Sequence, residues 1–187
     1  MKKIKILLAI LLIGFTAVAQ EFSVNTSKSE LKWTGKKVTG EHWGFIKLKD
    51  GSITLKNDKT LEGVFHIDMN SINNKDLKDP DYNAKLVGHL KSEDFFGVEN
   101  FSVATLKITK STPLKNNTAD VTGDLTIKGI THPVTFKATK SETGYSASIT
   151  IDRTKYDIRY GSGKFFESLG DNMIYDDFVL DINLFLE

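Results

Sequence analysis

Apolar and polar residues alternate with a period of two through most of this chain, and that pattern restricts its fold more than any other feature. Successive side chains of a β-strand point to opposite faces, so alternation means a strand with one buried and one wet face. Leu31, Trp33 and Gly35 alternate with Glu30, Lys32, Thr34 and Lys36, and Leu61, Gly63, Phe65 and Ile67 alternate with Glu62, Val64, His66 and Asp68. Ala104, Leu106 and Ile108 repeat the pattern. It is clearest in Val121, Gly123, Leu125 and Ile127 and, after a turn at Gly129, in Val134, Phe136 and Ala138. Tyr145, Ala147, Ile149 and Ile151 follow Gly144, and Phe178, Leu180, Ile182, Leu184 and Leu186 close the chain. The runs are joined by short segments rich in Gly, Asn, Asp and Ser, as hairpins require. One wet face per strand suits antiparallel sheets and not parallel ones. No fixed-period repeat points to a propeller or solenoid.

One segment departs from this rhythm. Between Asn73 and Gly97, Tyr82, Leu86 and Leu90 recur at four-residue spacing, with Lys85 and His89 on other faces, which predicts a helix. Ser92-Glu93-Asp94 reads as an N-cap opening a short second helix that ends near Gly97. The expectation is therefore a mainly β, single antiparallel barrel of about eight strands, with one or two short helices inserted around residues 73–97. A barrel of that size is either filled by side chains or holds one small ligand. The small inward residues Gly35, Gly63, Gly123, Ala104, Ala138 and Ala147 fit either outcome, since they open a tunnel or accommodate a taper.

The first residues stand apart from the barrel. Lys2, Lys3 and Lys5 precede an unbroken apolar run from Ile6 to Ala19 that ends in Ala17-Val18-Ala19, the small-x-small pattern of a signal peptidase site. At roughly 14 residues the run is too short to span a bilayer, which takes about 20. Residues 1–19 are read as a cleaved export signal and residues 20–187 as one soluble domain. Without the three signal lysines, 22 basic residues stand against 24 acidic ones, a net charge of −2. That balance argues against nucleic acid or an anionic membrane surface as the main partner, because both need a basic patch to neutralise their phosphates. The chain has no cysteine, which removes disulfides, thiolate metal sites, cysteine nucleophiles and a lipidated N-terminus together.

Catalytic chemistry finds little footing. His42, His66, His89 and His132 are scattered, with no spacing that pre-forms a metal site. Asp79-Pro80-Asp81-Tyr82-Asn83 begins like a calcium loop, but Ala84 and Leu90 stand where glycine and glutamate are needed. Gly161-Ser162-Gly163-Lys164 lacks the upstream glycine of a phosphate loop and has Phe165 in place of Ser or Thr, so it reads as a flexible loop between strands. No G-x-S-x-G elbow is present. Asp177 and Asp181 fall on the strand face opposite Phe178, Leu180 and Ile182, towards water. The expectation is no catalytic residue, no metal and no enzyme activity.

Asn70-Ser71-Ile72 and the stretch Leu90-Lys91-Ser92-Glu93-Asp94-Phe95-Phe96-Gly97-Val98-Glu99 resemble the YceI-like pattern L-k-s-x-D-F-F-x-v-e. Val121-Thr122-Gly123-Asp124-Leu125-Thr126-Ile127-Lys128-Gly129-Ile130-Thr131-His132-Pro133-Val134 is similar to that family's v-x-G-x-L-T-i-k-G-v-t-x-P-v hairpin, and Asp152-Arg153-Thr154-Lys155-Tyr156 to its x-R-t-d-y/f-g turn. The departures are Lys155 for an acidic residue, Asp157 where glycine is common and Ser102 for a frequent proline. The resemblance covers essentially the whole chain after the signal. It implies a lipocalin-like barrel, export to the periplasm, and an internal pore for polyisoprenoid lipids, quinone-like or phospho-isoprenoid. It implies no catalysis and no cofactor beyond such a bound lipid.

The inward face of the strands supplies the expected lipid-binding lining. The first strands contribute Leu31, Trp33, Ile46, Leu48, Phe65 and Ile67, and the middle ones Leu106, Leu125, Ile127, Val134 and Phe136. Tyr145, Ala147, Ile149, Leu180 and Ile182 complete it. Burying a CH₂ is worth roughly 0.8 kcal/mol, so twenty carbons give on the order of 16 kcal/mol, against an association cost of about 4–15 kcal/mol. A long chain thus binds without a charged contact, and the tunnel selects for length. Two rival readings remain at this level. One is an accessory factor or enzyme acting on the same lipid, with Arg153, His132 and Asp152 as the polar candidates at the mouth. The other is a filled barrel whose outer face binds a protein. Transient membrane contact and homodimerisation are left open.

Overall fold

The computed structural model describes residues 19–56 and 60–187; most of the expected export signal, residues 1–18, lies outside the described residues. Nine strands run in chain order: β1 (Ala19–Ser23), β2 (Glu30–Lys37), β3 (Gly40–Lys56), β4 (Thr60–Asp68), β5 (Val103–Ser111), β6 (Thr118–Ile127), β7 (Ile130–Lys140), β8 (Gly144–Asp152) and β9 (Ile174–Phe185). From β2 onwards each strand pairs antiparallel with the next, and β9 returns to β2, so eight strands close a barrel. This is the architecture the alternation predicts. The ninth strand, β1, lies outside the ring. β3 is long enough to pair with β2 through residues 40–46 and with β4 through residues 47–56, and β1 takes the edge that β2 leaves, along residues 52–56.

β3 also carries a bulge. Leu48 opposes Ile67 and Asp50 opposes His66, so Lys49 is an extra residue. A bulge bends a strand and increases its twist, and here it also switches which residues face inward. Ile46 and Leu48 are buried before it, Ile53 and Leu55 after it. The barrel wall is thinnest in pairing between β7 and β8, which match only through residues 138–140 and 145–147. Pro133, with no N–H to donate, sits where β7 has no β8 partner, as proline in a sheet requires. The gap is filled by a 3₁₀ turn, Arg153–Tyr156, whose Tyr156 is 1 % exposed and packs edge-on against His132 with ring centres 5.5 Å apart.

The insertion between β4 and β5 lies over one end of the barrel. Its helix, α1 (Pro80–Lys91), starts at Asp79, whose carboxylate accepts the Asp81 and Tyr82 N–H groups, with Pro80 in the first turn. The expected second helix is absent. Ser92 instead ends α1, its N–H donating to the Gly88 and His89 carbonyls, and residues 92–97 form turns. The reason is local: Ser92 Oγ donates back to the His89 carbonyl, so the side chain that was to open a new helix closes the previous one. The helix faces differ too. Leu86 and Leu90 turn inward, but Tyr82 is 67 % exposed and His89 faces the barrel. A polar strap ties the insertion down: Trp33 Nε1 donates to the Asn73 carbonyl at 2.9 Å, and Asp76 accepts from the Trp43 N–H at 2.8 Å and contacts His42 Nδ1 at 2.7 Å.

Candidate functional site

The barrel encloses two adjoining chambers. The first, about 160 Å³, lies beneath α1. Trp33, Ile46, Ile67, Leu125, Ile127 and Leu180 line it from the strands, and Leu86, His89, Leu90, Phe95 and Phe96 from the insertion. Lys36, Lys37, His42, Tyr175 and Asp177 are among the other lining residues. The second chamber, about 60 Å³, is lined by Leu31, Leu48, Phe65, Leu106, Phe136, Tyr145, Ala147, Ile149 and Ile182, among others. Ile67, Leu125, Ile151 and Leu180 belong to both and form a waist. A single water needs about 10–15 Å³ on the same footing, so the two chambers together have room for roughly fifteen CH₂-sized units.

Of the residues expected inside, Val134 alone lines neither chamber. It packs half-buried against the core near the β7–β8 gap, where β7 pairs with β6 at Gly123 but has no β8 partner on its other side. The small residues divide. Gly35 lines the first chamber, and a side chain there would meet open space. At Gly63 and Gly123 a Cβ would instead approach a neighbouring strand's carbonyl, Ser52 O at 2.6 Å and Lys107 O at 2.9 Å, so those positions serve close strand packing. The alternation did not reveal the capping residues Leu86, His89, Phe95 and Phe96. Helical spacing holds the signal for two of them: Leu86 recurs with Leu90 at four residues, and His89, three residues after Leu86, shares its face.

The polar candidates at the mouth prove to be structural to different degrees. Arg153 is 2 % exposed and lines the first chamber. Its guanidinium donates to the carbonyls of Ile158, Ile174 and Tyr175 at 2.9, 3.1 and 3.2 Å and lies over the Phe95 ring. Burial lowers its pKa, and Asp176 and Asp152 oppose that shift. Asp152 is outside the lining. Burial pushes its carboxyl up, but hydrogen bonds from Thr154 and Lys164 outweigh this and hold it below the ordinary value. His132 is engaged with Tyr156 and lines neither chamber. Tyr145 in the second chamber is raised by burial, and Tyr156 is pushed up to about 12 by burial and by Asp152. Among the described residues, no three His, Asp or Glu side chains gather as a metal site.

The loop after the 3₁₀ turn is held in place, contrary to the flexible loop expected at residues 161–164. Ser162 is fully buried, and Lys164 Nζ reaches Asp152 at 2.9 Å and Asp176 at 3.3 Å. Asp157 adopts a left-handed conformation, φ 57°, to close the turn, which is why glycine suits that position. Asp181 is exposed as expected, whereas Asp177, though exposed, reaches the rim of the first chamber.

The matches to known proteins agree with this architecture. BcnA of Burkholderia cenocepacia superposes with a TM-score of 0.69 at 23 % identity, over 86 % of this chain and 98 % of that one. A polyisoprenoid binding domain from Saccharophagus degradans, implicated in plant cell wall breakdown, superposes with a TM-score of 0.59 at 18 % identity, over 89 % and 97 %. In sequence, a UPF0312 protein of Staphylococcus aureus (strain USA300) is 36 % identical over 136 residues, 66 % of this chain and 71 % of the relative. A UPF0312 protein of Pseudomonas fluorescens (strain SBW25) is 37 % identical over 81 residues, but that match spans only 42 % of the relative's length. The model of the YceI-like domain matches residues 22–186, and the chain therefore belongs to the YceI-like family.

Proposed function

We propose that this protein is an exported carrier or store that binds a long apolar lipid of polyisoprenoid or quinone type inside its barrel and catalyses no reaction on it. The observation that carries this reading is the pair of adjoining chambers whose wall surface is almost wholly apolar. Burial of apolar surface is the one large favourable term such walls offer. The ligand named for the structurally similar domain from Saccharophagus degradans is of the same chemical class. The periplasm is the proposed location, on the strength of the apolar run and small-x-small pattern before residue 20; no described helix is long and apolar enough to cross a membrane. Val38 and the aromatic residues Tyr160, Phe165, Phe166 and Tyr175 are exposed around the covered end of the barrel, and such side chains suit transient contact with a membrane surface.

The test is a titration with isoprenoid chains of increasing length, read by emission of Trp33 in a Trp43→Phe background and by the ¹⁹F resonance of fluorotyrosine at position 145. Affinity is expected to rise steeply from ten to about fifteen carbons, as the chambers fill, and to respond little to salt. Equal affinity across that range, or a steep salt slope, contradicts the proposal.

A further inference from the structure

Among the described residues, His89 carries the one buried side-chain nitrogen or oxygen of the chamber walls that is left without a hydrogen-bond partner. Its Nε2 is buried and has no partner in the protein. The ring is clamped between Phe95 and Tyr160, with centres 5.5 and 4.4 Å away, so it cannot swing out to water without losing both contacts. An unsatisfied buried nitrogen is costly, and an aromatic ring without nitrogen would fill the same space free of that cost. Arg153 lies over the same Phe95 ring, 5.5 Å from its centre.

We infer that His89 Nε2 is the head-group anchor of the chamber, hydrogen-bonding an uncharged oxygen, a carbonyl or an alcohol, at the end of an apolar chain. This rests on the lipid-binding reading above and adds to it the end of the chain that is recognised. The charges nearby favour a neutral head. Arg153 and Lys164 face Asp176 and Asp152, at 3.8 Å for Arg153–Asp176 and 2.9 Å for Lys164–Asp152. Two cations thus meet two anions, and Arg153 already commits three donors to backbone carbonyls. Beside Arg153 an anionic head would be desolvated with no unmatched positive charge to receive it. Of the two lysines in the lining, Lys36 pairs with Glu41 at 3.5 Å, and Lys37 is the cation whose competing claim on an anionic head the phosphate probe tests.

The experiment compares three probes of equal chain length: an isoprenoid quinone, the isoprenoid hydrocarbon without a head, and the isoprenyl phosphate. The wild-type protein is expected to bind the quinone about tenfold more tightly than the hydrocarbon, the worth of one buried hydrogen bond. His89→Phe, which keeps the stacking, is expected to bring the quinone-to-hydrocarbon affinity ratio to about one, whatever it does to the affinity of both. His89→Gln, which keeps a donor, is expected to retain part of it. The ¹⁵N resonance of His89 Nε2 is expected to move with the quinone and not with the hydrocarbon. Quinone affinity unaltered in His89→Phe overturns the anchor, as does a phosphate preference that survives that substitution. If the wild-type protein binds none of the three, the lipid-binding reading falls and the anchor with it, whereas hydrocarbon binding without a quinone gain overturns the anchor alone.

Discussion

Arg153 carries a charge into a place almost without water, and its surroundings explain how. Three carbonyls, a nearby carboxylate and an aromatic face satisfy the guanidinium. A lysine could not serve there, since it lacks the planar fork that reaches three carbonyls at once. Alanine substitution at this position therefore tests folding before it tests chemistry. Two carboxylates contribute stability in a pH-dependent way. Burial raises both Asp76 and Asp152, but hydrogen bonds outweigh it, from the Trp43 N–H, His42 and Asn74 at Asp76 and from Thr154 and Lys164 at Asp152, leaving both below the ordinary 3.8. A carboxyl depressed by folding stabilises fully above its unfolded pKa, and the contribution is lost as pH falls through the folded value. Urea midpoints are thus expected to hold steady down to about pH 5 and to fall below about pH 4. The Asp76→Asn and Asp152→Asn variants should be less stable at neutral pH and show a shallower acid slope. An unchanged slope in both would contradict these hydrogen-bond assignments.

At the scale of elements, the alternation made the strands legible because a half-buried strand leaves a direct trace in sequence. The run from Val121 to Ile127 needed no help from elsewhere: it lies in β6 as read, and its inward members are buried. What the pattern could not carry was the parity switch at Lys49, since a bulge adds one residue without changing composition. Nor could it show that Ser92 would close one helix and not open another, because the same hydroxyl satisfies either end. The waist is the element-level feature most open to test. Leu125→Phe places a larger ring where the chambers meet, at an overpacking cost of about 1–3 kcal/mol. Long chains should then lose most of their advantage over ten-carbon ones. The Trp33 signal should persist and the Tyr145 signal should vanish. Both signals unchanged would mean that the ligand reaches Tyr145 without being constrained at Leu125.

For the whole molecule, the helical insertion and the loop after β8 gather at one end of the barrel, over the first chamber and beside the exposed aromatics. The second chamber lies beyond the waist, so the proposed ligand runs from an anchored head beneath α1 down the barrel axis. A longer tail than roughly fifteen carbons must extend through the rim or push the walls apart. The family and the barrel were readable from sequence because both rest on patterns distributed along the chain. The head-group end was not, because it depends on His89, Arg153 and Phe95 converging from an α-helix, a 3₁₀ turn and a loop. Native mass spectrometry of the protein, purified from its own cells without detergent, bears most directly on whether the barrel carries a lipid. A discrete added mass, released by organic solvent as an isoprenoid lipid, is the predicted result. A bare protein mass, still bare after incubation with isoprenoid quinones, would contradict it.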